Sequence, residues 1–334
     1  MFKLKCAAAA AAALFLTAQG AQAEDLVRDA YTVSVQNDLV YGQGLVGATS
    51  GTPKPRDLKM DVYRPMSGGK VLGGARPAVI MVFGGAFHRG SKGTARFEED
   101  GASDSAMGDY CNAFAAAGYV CLSIDYRLVP EDPALPAHLD SAALFPKATI
   151  KDPVATARVD VIRGRMGLPI LDDTSREQLW NTIFAATEDL TTAVNFARAN
   201  AEKLGIDPER IAVGGFSAGG MTAVNATYGA GLPVKAVVSL SGGMGGYDLR
   251  KTAKASMPPG LFIMGQNDLD GIQGGTRALL AMLGGAGVKT SAAWMPGFGH
   301  FYPMGAVSLG ADMSKQTLKT RILRFLDANL GVTR

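Results

Sequence analysis

The segment Gly215-Phe216-Ser217-Ala218-Gly219 has the residue types and the spacing of a serine nucleophile. An apolar run at 210–214 precedes it and helix-forming residues follow, so the serine is predicted to lie in a sharp turn between a strand and a helix. Such a turn needs small flanking residues, exposes the serine hydroxyl and directs the amide of Ala218 toward a reacting carbonyl oxygen. The pattern therefore predicts attack by Ser217 on a carbonyl carbon. The alternative is a glycine-rich turn of structural value only.

A serine nucleophile requires a base that takes its proton, and three histidines are available in the chain. His300 follows the apolar run 292–294 in a loop flanked by glycine, where a strand is expected to end. His138 falls in an irregular region, and His88 directly follows a Gly-Gly loop. We therefore predict that His300 is the base. A solvated loop histidine is the alternative.

The base in turn requires a carboxylate that orients its ring. Asp268 and Asp270 both follow the apolar run 261–264. Asp268 lies closer to the end of this predicted strand and is the predicted acid. Asp270 is the reserve, and it would otherwise be a solvated residue that caps a helix. The chain order Ser, Asp, His is the one that sheets with a G-x-S-x-G turn use.

Backbone amides are also needed to bind the oxygen that becomes negatively charged during the reaction. Gly84 and Gly85 follow a predicted central strand, and glycine lets main-chain N–H groups face a substrate without a Cβ in the way. We predict that Gly84, Gly85 and Ala218 form this oxyanion hole. An ordinary glycine-rich turn is the alternative for the first two. The predicted substrate-binding residues are Phe87, Phe216 and Tyr302.

The elements that would position these groups alternate between strands and helices. Tyr31–Val35 and Leu58–Tyr63 alternate apolar with polar residues, as half-buried antiparallel edge strands do. Nearly continuous apolar runs predict central parallel strands at 77–83, 119–124, 211–214, 236–240 and 261–264. Helical patterns are predicted at 105–117, 188–204, 274–283 and 317–330. This alternation predicts an α/β fold whose mostly parallel sheet is covered by helices on both faces.

One long segment interrupts the alternation. Residues 131–183 are rich in Pro, Asp and short helical pieces, and connections inside a compact domain are normally only about six residues long. The segment leaves the carboxyl end of a central strand, the side on which the reactive loops are expected. It is therefore predicted to be a cap or lid insertion. A surface excursion remote from the site is the alternative.

The first residues have the features of an export signal. Two lysines, an apolar stretch at 6–16 and the small-x-small site Ala21-Gln22-Ala23 predict a signal peptide over 1–23, cleaved between Ala23 and Glu24. The alternative, a membrane anchor, would need about 20 apolar residues. The mature chain, 24–334, is expected to be one soluble domain exported to the periplasm or beyond.

Composition excludes several function classes. The net charge of +3 falls to about +1 when the signal and its two lysines are removed, and no basic stripe remains, so neither nucleic acid nor an anionic membrane surface is an expected partner. With three histidines and no CxxC pair, no metal site is expected. The mature chain keeps Cys111 and Cys121. An oxidising compartment permits a disulfide between them, and two buried thiols are the alternative.

Several motifs together resemble a known family. Asp61–Pro65, the Gly84-Gly85 loop, Asp125–Glu131 and the Ser217 turn are similar to the corresponding motifs of α/β-hydrolase esterases of the hormone-sensitive-lipase and acetyl-esterase type. The resemblance implies an eight-stranded, mostly parallel sheet, hydrolysis of carboxylic esters, and no metal or organic cofactor.

Two residues depart from the pattern of that family. Phe83 stands where the family's oxyanion loop normally begins with His, which puts the rigidity of the loop in question. Phe216 precedes the nucleophile where relatives of hormone-sensitive lipase often carry Asp, which moves the chain toward the feruloyl- and xylan-esterase-like (BD-FAE-like) branch.

The expected activity is two-step acyl transfer by an exported carboxylic ester hydrolase, acting on a small-molecule or polymer-borne ester. A serine peptidase or amidase with the same triad is one alternative. A non-catalytic binding module of the same fold is another.

Overall fold

The computed structural model describes residues 30–99 and 101–333. The predicted signal peptide over 1–23 lies outside these residues. Within the described ranges, no helix combines the length and the hydrophobicity that crossing a bilayer requires.

The central sheet is built from the apolar runs of the sequence. Its strands in chain order are β1 (Thr32–Val46), β2 (Lys54–Ser67), β3 (Lys70–Val71), β4 (Arg76–Val82), β7 (Val120–Ile124), β8 (Ile206–Phe216), β9 (Ala236–Leu240), β10 (Gly260–Gly265), β11 (Thr290–Met295), β12 (Val307–Gly310) and β13 (Lys315–Thr317). A separate small hairpin pairs β5 (Glu98–Glu99) with β6 (Ala102–Ser103). Strands β7, β9 and β10 are buried along their whole length, as the near-absence of polar residues in them predicts.

The strands lie in the order β1-β2-β7-β4-β8-β9-β10-β11-β12-β13, with β3 beside β2. Pairing is parallel from β7 to β11 and antiparallel at both ends of the sheet. The predicted α/β fold and its antiparallel edge are confirmed. The sheet has 11 strands rather than eight, because the short strands β3, β12 and β13 extend it at its edges.

Helices cover the sheet. They are α1 (Met107–Ala116), α2 (Pro153–Arg165), α3 (Asp173–Ala199), α4 (Ala201–Leu204), α5 (Ala218–Val224), α6 (Leu249–Thr252), α7 (Asp270–Gly285) and α8 (Leu318–Leu330). Helix α3 begins 15 residues before the predicted helix at 188–204, because the Asp172 carboxylate accepts a hydrogen bond from the Ser175 amide and caps the helix there.

The segment 131–183 contains short 3₁₀ turns, helix α2 and the first part of α3. Asp152 caps α2, and Pro153 occupies its first position, where proline fits because its missing N–H would have no partner. Sequence patterning alone did not separate α2 from the surrounding irregular chain.

Cys111 of α1 and Cys121 of β7 form a disulfide, with their Cα atoms 5.0 Å apart. Helix and strand run back along each other after the turn at Gly118, which brings the two cysteines to the same height. The predicted bridge is thus present, and both cysteines are fully buried.

Candidate active site

Five neighbouring parallel strands deliver loops to one edge of the sheet. The strands β4, β8, β9, β10 and β11 end there, and at their carboxyl ends lie, in that order, Phe83, Ser217, Ser241, Asp268 and His300. Residues far apart in the chain are therefore brought to one place by strand order alone, at the edge where open α/β sheets bind their ligands.

Ser217 lies in a strained turn between β8 and α5. Its φ is 52° and its ψ is −118°, a backbone conformation that side-chain-bearing residues rarely adopt. The neighbouring chain leaves no room for larger residues, since a Cβ at Gly219 would lie 2.0 Å from the carbonyl oxygen of Val82. This crowding is the physical reason for the small residues that the motif requires.

Ser217, His300 and Asp268 form a continuous hydrogen-bonded line. The Ser217 hydroxyl donates to Nε2 of His300 over 3.0 Å, and Nδ1 of His300 donates to Oδ1 of Asp268 over 2.7 Å. Asp270, in contrast, is exposed at the first position of α7 and makes no contact with the histidine. His138 is also exposed. The geometry matches the nucleophile, base and orienting acid predicted from the sequence.

Asp268 accepts hydrogen bonds from three groups besides His300. Its Oδ2 accepts hydrogen bonds from the Ser241 hydroxyl (2.5 Å) and the Gly265 amide (3.0 Å), and its Oδ1 also accepts from the Leu269 amide (2.8 Å). The carboxylate is almost completely buried. These donors compensate a buried negative charge and fix its orientation toward the histidine.

Ser241 is a site residue that sequence reasoning missed. It directly follows β9, has a φ of 48°, and its hydroxyl also forms a hydrogen bond of 2.8 Å with the hydroxyl of Tyr302. Burial, with the nearby Asp268 charge, raises the pKa of Tyr302 well above its ordinary value, so this hydroxyl stays protonated. The only sequence signal was a polar residue at the end of a predicted central strand.

The oxyanion loop has an unusual backbone. Gly85, Ala86 and Phe87 have φ values of 123°, 55° and 61°, a run of three left-handed residues. A Cβ at Gly85 would lie 1.9 Å from the carbonyl oxygen of Arg89, so only glycine fits at this position. Gly85 and Ala86 line the cavity beside Ser217, whereas Gly84 is buried behind it. Ala86 thus joins the predicted Gly84, Gly85 and Ala218 as a possible backbone donor.

Phe83 supports the oxyanion loop although it replaces the histidine that begins this loop in related esterases. The ring of Phe83 stacks on Tyr126, with centroids 4.5 Å apart, and the Tyr126 hydroxyl donates to the carbonyl oxygen of Phe83. Aromatic stacking and one hydrogen bond therefore support the loop at the position where the family's histidine is replaced.

The cavity at the serine is small. Its volume is about 10 Å³, which is enough for about one water molecule. Its walls are formed by Gly85, Ala86, Arg89, Phe97, Arg158, Ile162, Ser217, His300 and Phe301. Arg158 and Ile162 belong to α2, so part of the segment 131–183 lies directly over the nucleophile rather than remote from it.

The three residues predicted to bind substrate do not line this cavity. Phe87 is buried against Tyr126, because the positive φ angles at 86 and 87 turn its side chain inward. Phe216 is 1% exposed and packs 5.4 Å from the His300 ring, which makes it a support for the base. Tyr302 is fully buried beside Ser241. This prediction is corrected in favour of Phe97, Phe301 and Ile162 as the apolar walls.

The α2 helix is also joined to the oxyanion loop through a buried histidine. Nδ1 of His88 donates to the carbonyl oxygen of Ala86 over 2.8 Å, and Nη1 of Arg163 donates to Nε2 of His88 over 3.2 Å. Burial lowers the pKa of His88, and the charge of Arg163 acts in the same direction. A neutral His88 therefore connects the segment above the site with the loop below it.

Comparisons with known proteins agree with this architecture. A family model described as BD-FAE matches residues 176–236, a stretch that includes the Ser217 turn. Esterase 2 of Thermogutta terrifontis, solved with propionate bound, superposes with a TM-score of 0.52 at 15% identity, over 91% of this chain and 95% of the other. The chain has the α/β-hydrolase fold.

Two further solved structures give the same result. A truncated carbohydrate esterase from gut microbiota has a TM-score of 0.56 at 17% identity, over 91% of this chain and 98% of the other. The T. terrifontis esterase phosphorylated by paraoxon has a TM-score of 0.53 at 17% identity, over 90% of this chain and 95% of the other. No curated protein sequence matches the chain. The resemblance to α/β-hydrolase esterases is confirmed at the level of the fold.

Among the described residues, no three or more His, Cys, Asp or Glu side chains come together in a way that could hold a metal ion.

Proposed function

We propose that the protein is a carboxylic ester hydrolase in which Ser217 is the nucleophile, His300 the base and Asp268 the orienting acid. The hydrogen-bonded line from Asp268 through His300 to a serine in strained backbone geometry carries this proposal. The structural neighbours, which are named as esterases, support the proposal, and so does the match to the BD-FAE family model.

The reaction begins when His300 takes the proton of the Ser217 hydroxyl as its oxygen attacks the ester carbonyl. Negative charge then develops on the carbonyl oxygen, and the amides of Gly84, Gly85, Ala86 and Ala218 are the proposed donors to it. Such donors act strongly because they are already oriented before the charge appears. The charge of Asp268 stabilises the histidine cation formed in this step.

Protonated His300 next donates its proton to the leaving alcohol, which gives an acyl-enzyme on Ser217. A water molecule then loses a proton to His300 and attacks the acyl carbon. The bond between the acyl carbon and the Ser217 oxygen breaks, His300 returns the proton to that oxygen, and the carboxylic acid is released. The cavity at the serine holds only about one water, so both steps need more space than the conformation described provides, because first the ester and then the acyl group on Ser217 must fit there.

Two further proposals concern the whole chain. The segment 131–183 acts as a cap, because α2 places Arg158 and Ile162 over the nucleophile. The leader sequence over 1–23 exports the protein, and the Cys111–Cys121 disulfide agrees with an oxidising compartment.

Labelling with paraoxon tests the assignment of the nucleophile. The mature protein should lose hydrolysis of p-nitrophenyl acetate in step with the addition of one diethylphosphoryl group, located on Ser217 by peptide mass spectrometry. The Ser217→Ala variant should neither react nor turn over, since loss of a triad nucleophile removes almost all rate enhancement. A label elsewhere, or turnover by the variant above about a hundredth of the wild-type rate, would contradict the proposal.

The two alternatives give different results in the same assays. An amidase would hydrolyse p-nitroanilides at rates comparable with p-nitrophenyl esters of the same acyl group. A non-catalytic module would remain unlabelled and inactive toward both.

A further inference from the structure

Arg89 places an uncompensated positive charge beside the nucleophile. It lies on the oxyanion loop, four residues after Gly85, and lines the same cavity as Ser217. Its Nε is buried without a hydrogen-bond partner, and no carboxylate of residues 30–99 or 101–333 forms an ion pair with it. Arg89 is half-buried, and a partly buried cation without an ion-pair partner in a reactive pocket points to an anionic ligand.

The surrounding charges do not neutralise Arg89. Glu99 forms ion pairs with both Arg158 and Arg165 of α2, at 2.5 Å and 3.0 Å. Hydrogen bonds from these two arginines lower the pKa of Glu99 to about 2, so it is fully charged at neutral pH. Among the residues that the structure describes, Glu99 is therefore the carboxylate that faces the guanidinium groups of Arg89, Arg158 and Arg165, so positive charge is in excess around the cavity. Asp160 and Arg163, also on α2, carry opposite signs.

The orientation of Arg89 is fixed by an aromatic ring. Its guanidinium carbon lies 4.4 Å from the centroid of the Phe97 ring, which also forms a wall of the cavity. Stacking occupies one face of the guanidinium and leaves the terminal Nη1 and Nη2 groups, which make no hydrogen bond with the described residues, free for an acceptor. A planar carboxylate matches this edge with two parallel hydrogen bonds, a geometry that a neutral acyl chain does not use.

Arg89 would keep its position when substrate enters. A cavity of about 10 Å³ has no space for an acyl group, so Arg158 and Ile162 on α2 must move for an ester to reach Ser217. Arg89 instead belongs to the loop below, where its amide donates to the Gly85 carbonyl oxygen. It therefore faces the bound ester whether α2 is near or displaced.

We propose that the substrate is an ester that also carries a carboxylate, and that Arg89 binds this carboxylate beside the reacting carbonyl. The inference rests on the proposed ester hydrolysis and adds the class of substrate to it. Arg89 acts in this scheme as a residue that determines specificity.

The test compares esters that differ only in charge. On the acyl side, mono-p-nitrophenyl glutarate carries a carboxylate and p-nitrophenyl valerate does not. 3-Carboxyphenyl butyrate and phenyl butyrate differ in the same way on the alcohol side. For one of the two pairs, the wild-type kcat/KM should favour the charged member by about tenfold or more, as expected for a charge-assisted contact.

The readout is the ratio of kcat/KM within each pair. Arg89→Gln should lower the ratio of the preferred pair to about one. Arg89→Lys should retain part of the preference, because lysine keeps the positive charge but not the planar guanidinium. Arg324→Gln, at an exposed position of α8, is the matched control and should keep the wild-type ratio. Equal rates for both members of both pairs, or an unchanged ratio in Arg89→Gln, would overturn the proposal.

A binding measurement separates this inference from the proposed function. Calorimetry on the Ser217→Ala variant should show that monomethyl glutarate binds more tightly than methyl valerate. Adding Arg89→Gln should raise the Kd of monomethyl glutarate by about tenfold. Hydrolysis of neutral esters without any preference for anions in rate or binding would reject the role of Arg89 and leave the esterase assignment intact. Selective binding of the anionic ester without hydrolysis of any ester would support the role of Arg89 and reject the esterase assignment.

Discussion

Ser241 donates a hydrogen bond of 2.5 Å to the carboxylate oxygen of Asp268 that does not face His300. The two residues end adjacent parallel strands, β9 and β10, so the contact follows from sheet order and not from nearness in the chain. Ser241 also bonds to the buried hydroxyl of Tyr302, whose ring contacts Phe216 under the histidine. The acid of the site is therefore oriented by a second layer of buried groups.

Replacing Ser241 by Ala should lower kcat for a p-nitrophenyl ester by about tenfold with little change in KM, since the hydroxyl orients the acid and does not contact substrate. Steady-state kinetics with this ester measure kcat and KM separately.

Ser239→Ala is the matched control for this substitution. Ser239 is also a buried serine of β9, and its hydroxyl has no hydrogen-bond partner among the described residues. Its loss should leave both kcat and KM close to wild type. Equal effects of the two variants would indicate that Ser241 contributes only packing.

Asp268→Asn and Asp270→Asn should differ strongly. An amide at position 268 cannot stabilise the histidine cation and favours the wrong ring tautomer, a change that costs about 10⁴-fold in kcat in a well-studied serine protease. Asp270 is exposed at the start of α7, where its removal costs about 0.3–1 kcal/mol of helix stability and no catalytic contact. The kcat of both variants with p-nitrophenyl acetate tests this prediction. A severe loss of kcat in Asp270→Asn alone would indicate that Asp270, not Asp268, orients the histidine.

The parts of the site that the sequence predicts well are those that follow buried strands directly. Ser217, Asp268 and His300 each come soon after an apolar run, and parallel strands end at a common edge. Ser241 has the same placement, but a serine followed by two glycines is typical of an ordinary turn. Only the pairing of β9 with β10 shows that its hydroxyl meets a carboxylate.

Side-chain direction in irregular segments was much harder to predict. Phe87 was expected in the pocket, yet its left-handed backbone directs it into the core against Tyr126. Arg158 and Ile162 enter the site because α2 crosses over it, and no periodicity within the segment 131–183 specifies that crossing. Local patterns therefore determined the strands and the triad, while the cavity walls depend on long-range packing.

Asp104→Asn should make the protein more stable at neutral and alkaline pH. Asp104 is buried, and its Oδ1 accepts a hydrogen bond from the Phe97 amide, which an asparagine oxygen can also accept. Burial raises the pKa of Asp104 to about 6. Because the folded state binds this proton more tightly than the unfolded chain, the contribution of Asp104 to stability is fully present below about pH 4 and is lost as pH rises through about 6.

The variant and the wild type should therefore have similar free energies of unfolding near pH 4. Well above pH 6 the variant should be more stable, by a difference on the order of 3 kcal/mol. Urea unfolding at pH 4, 5, 6 and 7.5 measures this, with Asp57→Asn at an exposed position of β2 as the control for the chemical change. A constant difference between Asp104→Asn and wild type across this range would contradict the assigned pKa.

The Cys111–Cys121 disulfide should be present in the exported protein and should contribute to its stability. Thiol titration of the mature chain, denatured without reductant, should find no free thiol, and two after reduction. The bridge closes a short loop, with a sequence separation of 10, so restricting the unfolded chain should stabilise the fold by about 2–3 kcal/mol. Cys111→Ala/Cys121→Ala should lower the melting temperature accordingly, whereas reductant should lower it only in the wild type. Two free thiols in the unreduced sample would show that both residues serve as small buried hydrophobic groups instead.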